Sequence, residues 1–505
     1  MNTKLLTSRW QSLPEGDIRK LQAEKLRHYL RHVVLPFSPH YHEMFAELGL
    51  SADSIHSLED LGHIPFTTKA DLVNTPAHPQ RAREFIITPD KEIIAHQPNT
   101  IVRALLHGRS RVRQELESEF RPLLLTSTTG RSADPVPFLF TRHDLNNLAV
   151  TGRRTFEVCG AQREMKLLNM FPYAPHLAFW QTHYGAEAFG VFLTSTGGGK
   201  VLGTEGQLRF IRKVQPDVII GMPTFVYHVL RQAVEENMRC ESLQRIVLGG
   251  EKVPDGMRRK LVSLAGELGA RDIDVVATYG FTECKAAFAE CPRPIDEPSC
   301  GYHLYPDFAI FEVVDPKTGE ILPPETPGEL VFTPLDARGT VVLRYRTGDI
   351  LDGGLTYAPC PNCGRRAPRL VGNISRRTEV REMRVDKIKG TLVDFNELEH
   401  VLDDCPHVGA WQIELRKHHD DPLELDELVL HVAKHNGMAE AQLIRELNQR
   451  FVASAEIQPN RIEFHTLEEM RTLQGVGIEM KERKLVDHRA VNVAGCNEES
   501  MENAA

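Results

Sequence analysis

The chain has 505 residues, 41% of them hydrophobic and 26% charged, and a formal net charge of -9 at pH 7. That length exceeds what one hydrophobic core organises, so two or more domains are expected; the negative balance argues against a general nucleic-acid binder. No uninterrupted apolar run approaches the roughly 20 residues needed to cross a bilayer, so no membrane partner is expected.

In chain order, residues 1–75 read as helical and charged. Met1 to Leu21 mixes Lys4, Arg9, Glu15, Asp17 and Arg19 with isolated apolar residues, which is not the pattern of a secretory signal. Farther on, Thr67 or Thr68 can cap a helix beginning near Lys69. Residues 76–122 form a polar, Arg-rich connection with a helix predicted over 110–120. From 123 onward the signals alternate. Strands are predicted at 136–140, 166–170, 217–220, 245–248 and 274–278, and helices at 143–158, 183–192, 223–237 and 255–268. Short apolar strands alternating with helices indicate a largely parallel sheet covered on both faces.

After about 305 the pattern changes to strands at 308–314, 329–332 and 341–345, with turns such as Pro316-Lys317-Thr318-Gly319 between them. A basic stretch over 376–389 precedes a helix at 396–403, strands around 408–415 and 427–432, and a helix at 439–451. The expected fold is therefore α/β: a large N-terminal domain, 1–374, with mostly parallel sheets and a small β-rich part over about 284–372. A small mobile α+β C-terminal domain, 375–493, follows, and 494–505 is small and polar, expected to be a disordered tail.

Three short strings stand out by order and spacing. Leu125-Thr126-Ser127-Thr128-Thr129-Gly130 is an alcohol-rich turn whose hydroxyls and backbone N–H groups can hold phosphate oxygens, or which is a plain turn. It lacks the lysine and spacing of a Walker loop. Tyr279-Gly280-Phe281-Thr282-Glu283 follows a predicted strand, which puts Glu283 at the carboxyl end where ligands sit in open sheets. Glu283 can hold Mg²⁺ through oxygen, and Tyr279 can stack on adenine or serve as a core aromatic. In Arg344-Tyr345-Arg346-Thr347-Gly348-Asp349, Asp349 can accept hydrogen bonds from both ribose hydroxyls. Two arginines there are costly without an anionic partner; the plain alternative is a solvated, salt-bridged loop. Gly249-Gly250-Glu251 also follows a strand, and its paired glycines permit close approach to a flat ligand or simply turn the chain. Together these strings imply an enzyme that activates a carboxylate with ATP.

The nine cysteines, an odd count, are scattered, which suits a reducing compartment and makes the cytoplasm the expected location. Cys360-Pro361-Asn362-Cys363-Gly364 has the spacing of a zinc knuckle, or of an ordinary turn with two thiols. Cys291, Cys300 and His303 lie upstream as candidates for the other two ligands. No open coordination position is implied, so the ion is expected to be a structural clip.

The chain resembles the adenylate-forming superfamily that includes acyl-CoA synthetases and firefly luciferase, and within it the phenylacetate–CoA ligase branch. The branch resemblance rests on Ser57-Leu58-Glu59-Asp60-Leu61, the run from Ile64 to Leu72, and His183-Tyr184-Gly185-Ala186-Glu187. The strings ending in Glu283 and Asp349 match motifs shared across the superfamily. The resemblance spans roughly 25–490. It implies that Thr126, Ser127, Thr128, Thr129 and Gly130 close over the ATP phosphates, and that Gly249, Gly250, Glu251 and Tyr279, with Gly280, form the adenine site. It implies Thr282 at the α-phosphate, Glu283 on Mg²⁺ and Asp349 on the ribose. Lys481, in Met480-Lys481-Glu482-Arg483-Lys484, matches the catalytic lysine, whose charge can bridge the substrate carboxylate and the α-phosphate. Gly390, with Lys389 before it, matches a glycine near the pantetheine path of coenzyme A, and the basic stretch offers a landing strip for that cofactor's phosphates. In zinc-bearing relatives the Glu-Cys and Gly-x-His positions recur, which favours Cys291 and His303 over Cys300.

The sequence departs from the family in two places. Arg131-Ser132-Ala133-Asp134 stands where a lysine usually follows the turn, and Gly372-Asn373-Ile374-Ser375-Arg376-Arg377 replaces the usual hinge motif. The implied reaction is adenylation of a small carboxylic acid by MgATP, then reorientation of the C-terminal domain and transfer to coenzyme A. His176, Phe179, Trp180, His183 and Tyr184 are candidate pocket liners for an aromatic acid or a short hydroxy acid; Phe179 and Trp180 can equally be core. The rival readings are delivery to an amine or carrier protein, and a non-catalytic nucleotide-binding homologue. Homodimers are common in the branch.

Overall fold

The computed structural model describes residues 9–75, 78–128, 136–376, 380–386, 389–417, 426–435, 437–455, 457–476 and 482–489. The chain divides into two compact units, Met1–Val253 with Arg258–Arg377, and Pro254–Met257 with Thr378–Ala505.

In the first unit, five parallel strands lie in the order Phe192–Ser195, Lys166–Asn169, Val218–Gly221, Arg245–Leu248 and Asp274–Phe281. Val218–Gly221 and Arg245–Leu248 are buried along their whole length, as expected of parallel strands covered on both faces. The sheet then continues antiparallel through Ala286–Ala289, Tyr302–His303, Arg369–Leu370 and Leu355–Thr356. The fold class is α/β as expected, but the large sheet is mixed and not mostly parallel.

Helices Arg142–Val158 and Leu177–Phe189 cross very closely. A Cβ on Gly185 would stand 2.7 Å from the Gly152 carbonyl carbon, so both positions require glycine. The second helix begins six residues before the predicted 183, with His176 as its N-cap residue. A further helix, Gly199–Val214, escapes periodicity because Gly203 breaks it with φ 61°.

A second, antiparallel sheet contains Ala309–Val314, Gly328–Pro334, Tyr345–Leu351 and Ile374–Arg376. The strand predicted at 341–345 is displaced. Val341, Leu343 and Arg344 are buried without strand pairing, because their N–H groups donate to Phe85 O, the Tyr41 hydroxyl and Thr333 Oγ1. The helix expected from Lys69 is a single 3-10 turn, Ala70–Leu72. There Thr68 donates from its N–H and hydroxyl to Asp71, while Thr67 bridges to Tyr345.

In the second unit a four-stranded sheet runs Arg461–His465, Asp426–Lys434, Val408–Lys417, Leu485–Asp487. One face packs Leu428, Leu430, Val432, Ile413 and Leu415 with residues of helices Phe395–Asp403 and Glu440–Ala455. Met470 of helix Leu467–Gln474 packs with Ala410 and Ala433 on the other. The basic stretch forms a hairpin of Val380–Asp386 with Lys389–Asp394, so Lys389 and Gly390 open a strand.

Candidate active site

The parallel strands deliver their ends to one side. Gly249 follows Arg245–Leu248, and its N–H donates to Gly221 O. A Cβ there would lie 2.3 Å from Thr278 Oγ1, so the neighbouring strand leaves no room for a side chain. Gly250 has φ +85°, a left-handed turn. Glu251 folds back on the helix Pro223–Glu235, where its carboxylate accepts from the N–H and hydroxyl of Thr224.

Tyr279 and Gly280 lie within Asp274–Phe281, and Thr282–Cys284 is a 3-10 turn after it. The Tyr279 hydroxyl donates to Asp349 Oδ2 at 2.6 Å, across to the second sheet. Arg376 Nε stands 2.8 Å from Asp349 Oδ1, and Asp349 and Arg376 are register partners. The Tyr345 hydroxyl donates to Glu283 Oε1 at 2.8 Å. Burial pushes the Glu283 carboxyl above the usual carboxylate range, against the pull of Tyr345 and Arg376. Burial also raises the Tyr279 phenol well above its ordinary value, and the Asp349 charge adds to it. Tyr279, Glu283, Tyr345, Asp349 and Arg376 thus form one network. The sequence places Arg376 in the altered hinge and at the start of the basic stretch; its position beside Asp349 depends on strand register, which no local pattern carries.

The two arginines of the 344–349 string face elsewhere. Arg344 pairs with Glu312 through Nη2 at 3.0 Å and Nε at 3.3 Å, both side chains being buried, and its guanidinium lies over Phe66. Arg346 pairs with Glu329. Each therefore has the anionic partner expected of it, a glutamate on a neighbouring strand, and with Glu312 and Glu329 both buried the solvated-loop alternative does not hold.

Thr126 is fully buried at the end of strand Pro122–Ser127, and its hydroxyl has no hydrogen-bond partner among the described residues. Ser127 N–H donates to Pro175 O, which joins this turn to the loop before His176. Thr128 Oγ1 accepts from Val136 N–H, closing the hairpin; Thr129 and Gly130 lie outside the described residues, as does Lys481. On Leu177–Phe189, Trp180 packs edge-on to Phe179 at 5.3 Å between ring centres, and stacks toward Tyr184 at 6.3 Å. His183 is exposed and lies parallel to buried Phe179 at 6.3 Å between ring centres, and it also meets Trp180 and Tyr184 edge-on, so the four rings form one aromatic cluster.

Cys291, His303, Cys360 and Cys363 converge, their ligand atoms all within 4.8 Å of one another. Sγ of Cys291 and Cys360 are 3.8 Å apart, and Cys363 Sγ is 3.6 Å from His303 Nε2. Bond lengths of about 2.3 Å to sulfur and 2.0–2.1 Å to nitrogen place tetrahedral ligands about 3.8 Å and 3.6 Å apart, so the cluster fits Zn²⁺. Hydrogen bonding from Cys291 draws Cys360 and Cys363 toward the thiolate, Cys363 to about 7, and burial keeps His303 neutral. Cys300 lies outside the group.

The AMP-binding enzyme family matches residues 150–334. The phenylacetate–coenzyme A ligase of Thermus thermophilus is 29% identical over 481 residues, 93% of either chain. That of Pseudomonas putida is 30% identical over 338 residues, 66% of either chain. A 2-hydroxyisobutyryl-CoA ligase solved in its postadenylation state superposes with a TM-score of 0.75 at 19% identity, over 95% of this chain and 92% of that one. That likeness is one of fold. By its sequence relatives, the chain belongs to the adenylate-forming AMP-binding enzymes, in their phenylacetate–coenzyme A ligase branch.

Proposed function

We propose that this protein is an AMP-forming carboxylic acid–coenzyme A ligase acting on a small aromatic acid. The observation that carries the reading is the network joining Tyr279, Asp349 and Arg376 beside Glu283 and Tyr345, at the carboxyl end of the large sheet. Asp349 is fixed by two donors and suits the ribose hydroxyls; Tyr279 and the side-chain-free Gly249-Gly250 turn suit the flat adenine ring. Thr282 and the hydroxyls from Thr126 to Thr129, with Gly130, are assigned to the phosphates.

The substrate carboxylate attacks the α-phosphorus of ATP, and pyrophosphate leaves. The thiolate of coenzyme A then attacks the acyl-adenylate carbonyl, and AMP leaves. No protein nucleophile is needed, so positioning and neutralisation of developing charge supply the acceleration. Glu283 is the residue assigned to hold Mg²⁺, which supplies charge neutralisation on the phosphates. Lys481 is assigned to the reacting carboxylate and α-phosphate, and Lys389 with Gly390 to the coenzyme A path.

Phe179, Trp180 and Tyr184 supply the apolar, aromatic surroundings that favour an aromatic acid, with His176 and His183 nearest in sequence. The names of the ligase relatives agree with that class. Zn²⁺ held by Cys291, His303, Cys360 and Cys363 would tie the antiparallel half of the sheet together. None of the eight described cysteines is joined in a disulfide, which suits the cytoplasm. A homodimer would cover Leu105 and Leu106, which are 82% and 71% exposed on helix Pro98–His107.

The test is acid-dependent exchange of labelled pyrophosphate into ATP across a panel of aromatic and aliphatic acids, with free coenzyme A thiol followed in parallel. Exchange without thiol loss would point to an amine or carrier acceptor, and no exchange with any acid would sink the reading. Lys481→Ala is expected to lower exchange by on the order of 10²-fold or more.

A further inference from the structure

A second group of metal-ligating side chains lies in the C-terminal unit, made of different residues from the thiolate cluster. Along Asp426–Lys434, Leu428, Leu430 and Val432 face the hydrophobic core, so the alternate residues Val429 and His431 face the opposite side. His431 pairs in register with Glu463 on the neighbouring parallel strand, and His465 is two residues farther on the same face. Glu414 reaches the same patch from Val408–Lys417.

His431 Nδ1 is 3.0 Å from His465 Nε2 and 3.6 Å from Glu463 Oε2. The other ring nitrogen, His431 Nε2, is 2.9 Å from Glu414 Oε2. This division of labour is informative. A ligating histidine characteristically donates its second N–H to a carboxylate, which fixes the tautomer that leaves the first nitrogen free to bind. Glu414 supplies that carboxylate. Glu463 is divided similarly: Arg461 takes Oε1 at 3.2 Å, and Oε2 faces His431. His431 is only 7% exposed, so its orientation is set by packing as well.

We propose that His431 Nδ1, His465 Nε2 and the Glu463 carboxylate bind a divalent ion of the zinc class, with Glu414 orienting His431 from behind. Two imidazoles and a carboxylate suit Zn²⁺ or a neighbouring first-row ion and do not suit Mg²⁺ or Ca²⁺, which prefer oxygen donors throughout. Binding requires the His465 proton to sit on Nδ1. Without metal the same atoms form a chain in which His465 Nε2–H donates to His431 Nδ1, and His431 Nε2–H donates to Glu414. The two states are therefore distinguished by metal content and not by fold. With three protein ligands, a tetrahedral ion keeps one position open to water.

The experiment uses the full-length protein dialysed to equilibrium against micromolar ZnCl₂, with zinc counted by mass spectrometry in wild type, His465→Gln and Glu463→Gln. Glu463 is partly exposed, so its variant guards against a loss caused by misfolding, and circular dichroism of both variants checks the fold. The wild type is expected to hold one equivalent per chain more than either variant, whatever the thiolate cluster contains. Cobalt substituted at this site should give ligand-field bands without the sulfur-to-cobalt charge transfer of a thiolate site, and those bands should vanish in His465→Gln. Equal zinc in all three folded proteins would overturn the proposal, as would unchanged cobalt spectra. Failure here leaves the ligase reading untouched, because the pyrophosphate assay does not measure this site.

Discussion

Tyr279 and Asp349 meet across two sheets, the phenol donating to one carboxylate oxygen at 2.6 Å while Arg376 holds the other at 2.8 Å. Both bonds are charge-assisted, a kind worth about 1.5–3 kcal/mol. The Asp349 carboxylate is buried while the Arg376 side chain is exposed, so the Tyr279 bond is the better shielded of the two. Tyr279→Phe leaves Arg376 in place, so it should lower kcat/KM for ATP by about 10-fold. Asp349→Ala removes the group that both donors fix and should cost on the order of 10²-fold or more. Pyrophosphate exchange at varied ATP measures both; equal, negligible losses would remove Asp349 from the nucleotide site.

Glu283 separates stability from activity. Its folded pKa is raised by burial, so its ionised form is disfavoured by folding. Relative to an uncharged side chain, the wild type suffers no penalty below the unfolded pKa. The penalty grows as pH rises from that value and is complete above the raised folded one. Glu283→Gln should therefore match the wild type in stability at acid pH and exceed it at neutral pH in the absence of nucleotide. The same variant should lose Mg²⁺-dependent exchange by on the order of 10²-fold. Urea titrations at two pH values, paired with the exchange assay, check both halves.

Much of this arrangement is legible locally. Arg245–Leu248 stands where the apolar run puts it, while the strand predicted to end at 278 runs on to Phe281 and takes in Tyr279. What local pattern hides is partnership at a distance. Val341, Val342 and Leu343 have the composition of a strand, yet the chain there is held by Phe85 O and the Tyr41 hydroxyl, hundreds of residues away in sequence. Arg344 finds Glu312, and Arg376 finds Asp349, only once the register of the second sheet is set. The Cys360-x-x-Cys363 spacing declared half of its cluster; the choice of Cys291 and His303 came from likeness to relatives, and the geometry groups those four. The histidine patch on the C-terminal sheet carries no sequence signature, because its members come from three strands.

Arg344 is a case where a motif residue acts on the fold. Its ion pair with Glu312 is buried, and breaking such a pair from one side costs about 3–5 kcal/mol because a buried charge is left unpaired. Arg344→Ala should lower the denaturation midpoint accordingly, while KM for ATP in the fraction that stays folded changes little. Arg344→Lys should recover only part of the loss, since it cannot span both Glu312 oxygens or cover Phe66 as a guanidinium does.

The thiolate cluster links segments far apart in the chain, so an ion there should act as a clip. Cys360→Ser with Cys363→Ser should remove one zinc per chain and lower the melting temperature by several degrees. A structural site worth even a third of the about 10–16 kcal/mol seen for zinc-finger peptides is large against a domain's stability. Because Cys291 follows the strand that pairs with Asp274–Phe281, activity should fall as well, and low temperature should restore part of it. Unchanged zinc in the double variant would dismiss the clip.

Gly185 tests the branch signature that contains it. The helices Arg142–Val158 and Leu177–Phe189 approach so closely that a methyl on Gly185 would stand 2.7–3.0 Å from Gly152 backbone atoms, and one on Gly152 would meet Gly185 Cα at 2.6 Å. Backbone cannot yield as a flexible side chain does, so the helices must separate. Gly185→Ala should therefore destabilise the N-terminal unit by about 1–3 kcal/mol despite alanine's better helix propensity. The double variant Gly152→Ala with Gly185→Ala should cost less than the sum of the singles, because either change alone already forces the helices apart. Moving Leu177–Phe189 also moves Trp180 and Tyr184, so KM for the acid should rise more than KM for ATP. A Gly185→Ala protein as stable as wild type would mean that the crossing is looser than 2.7 Å implies.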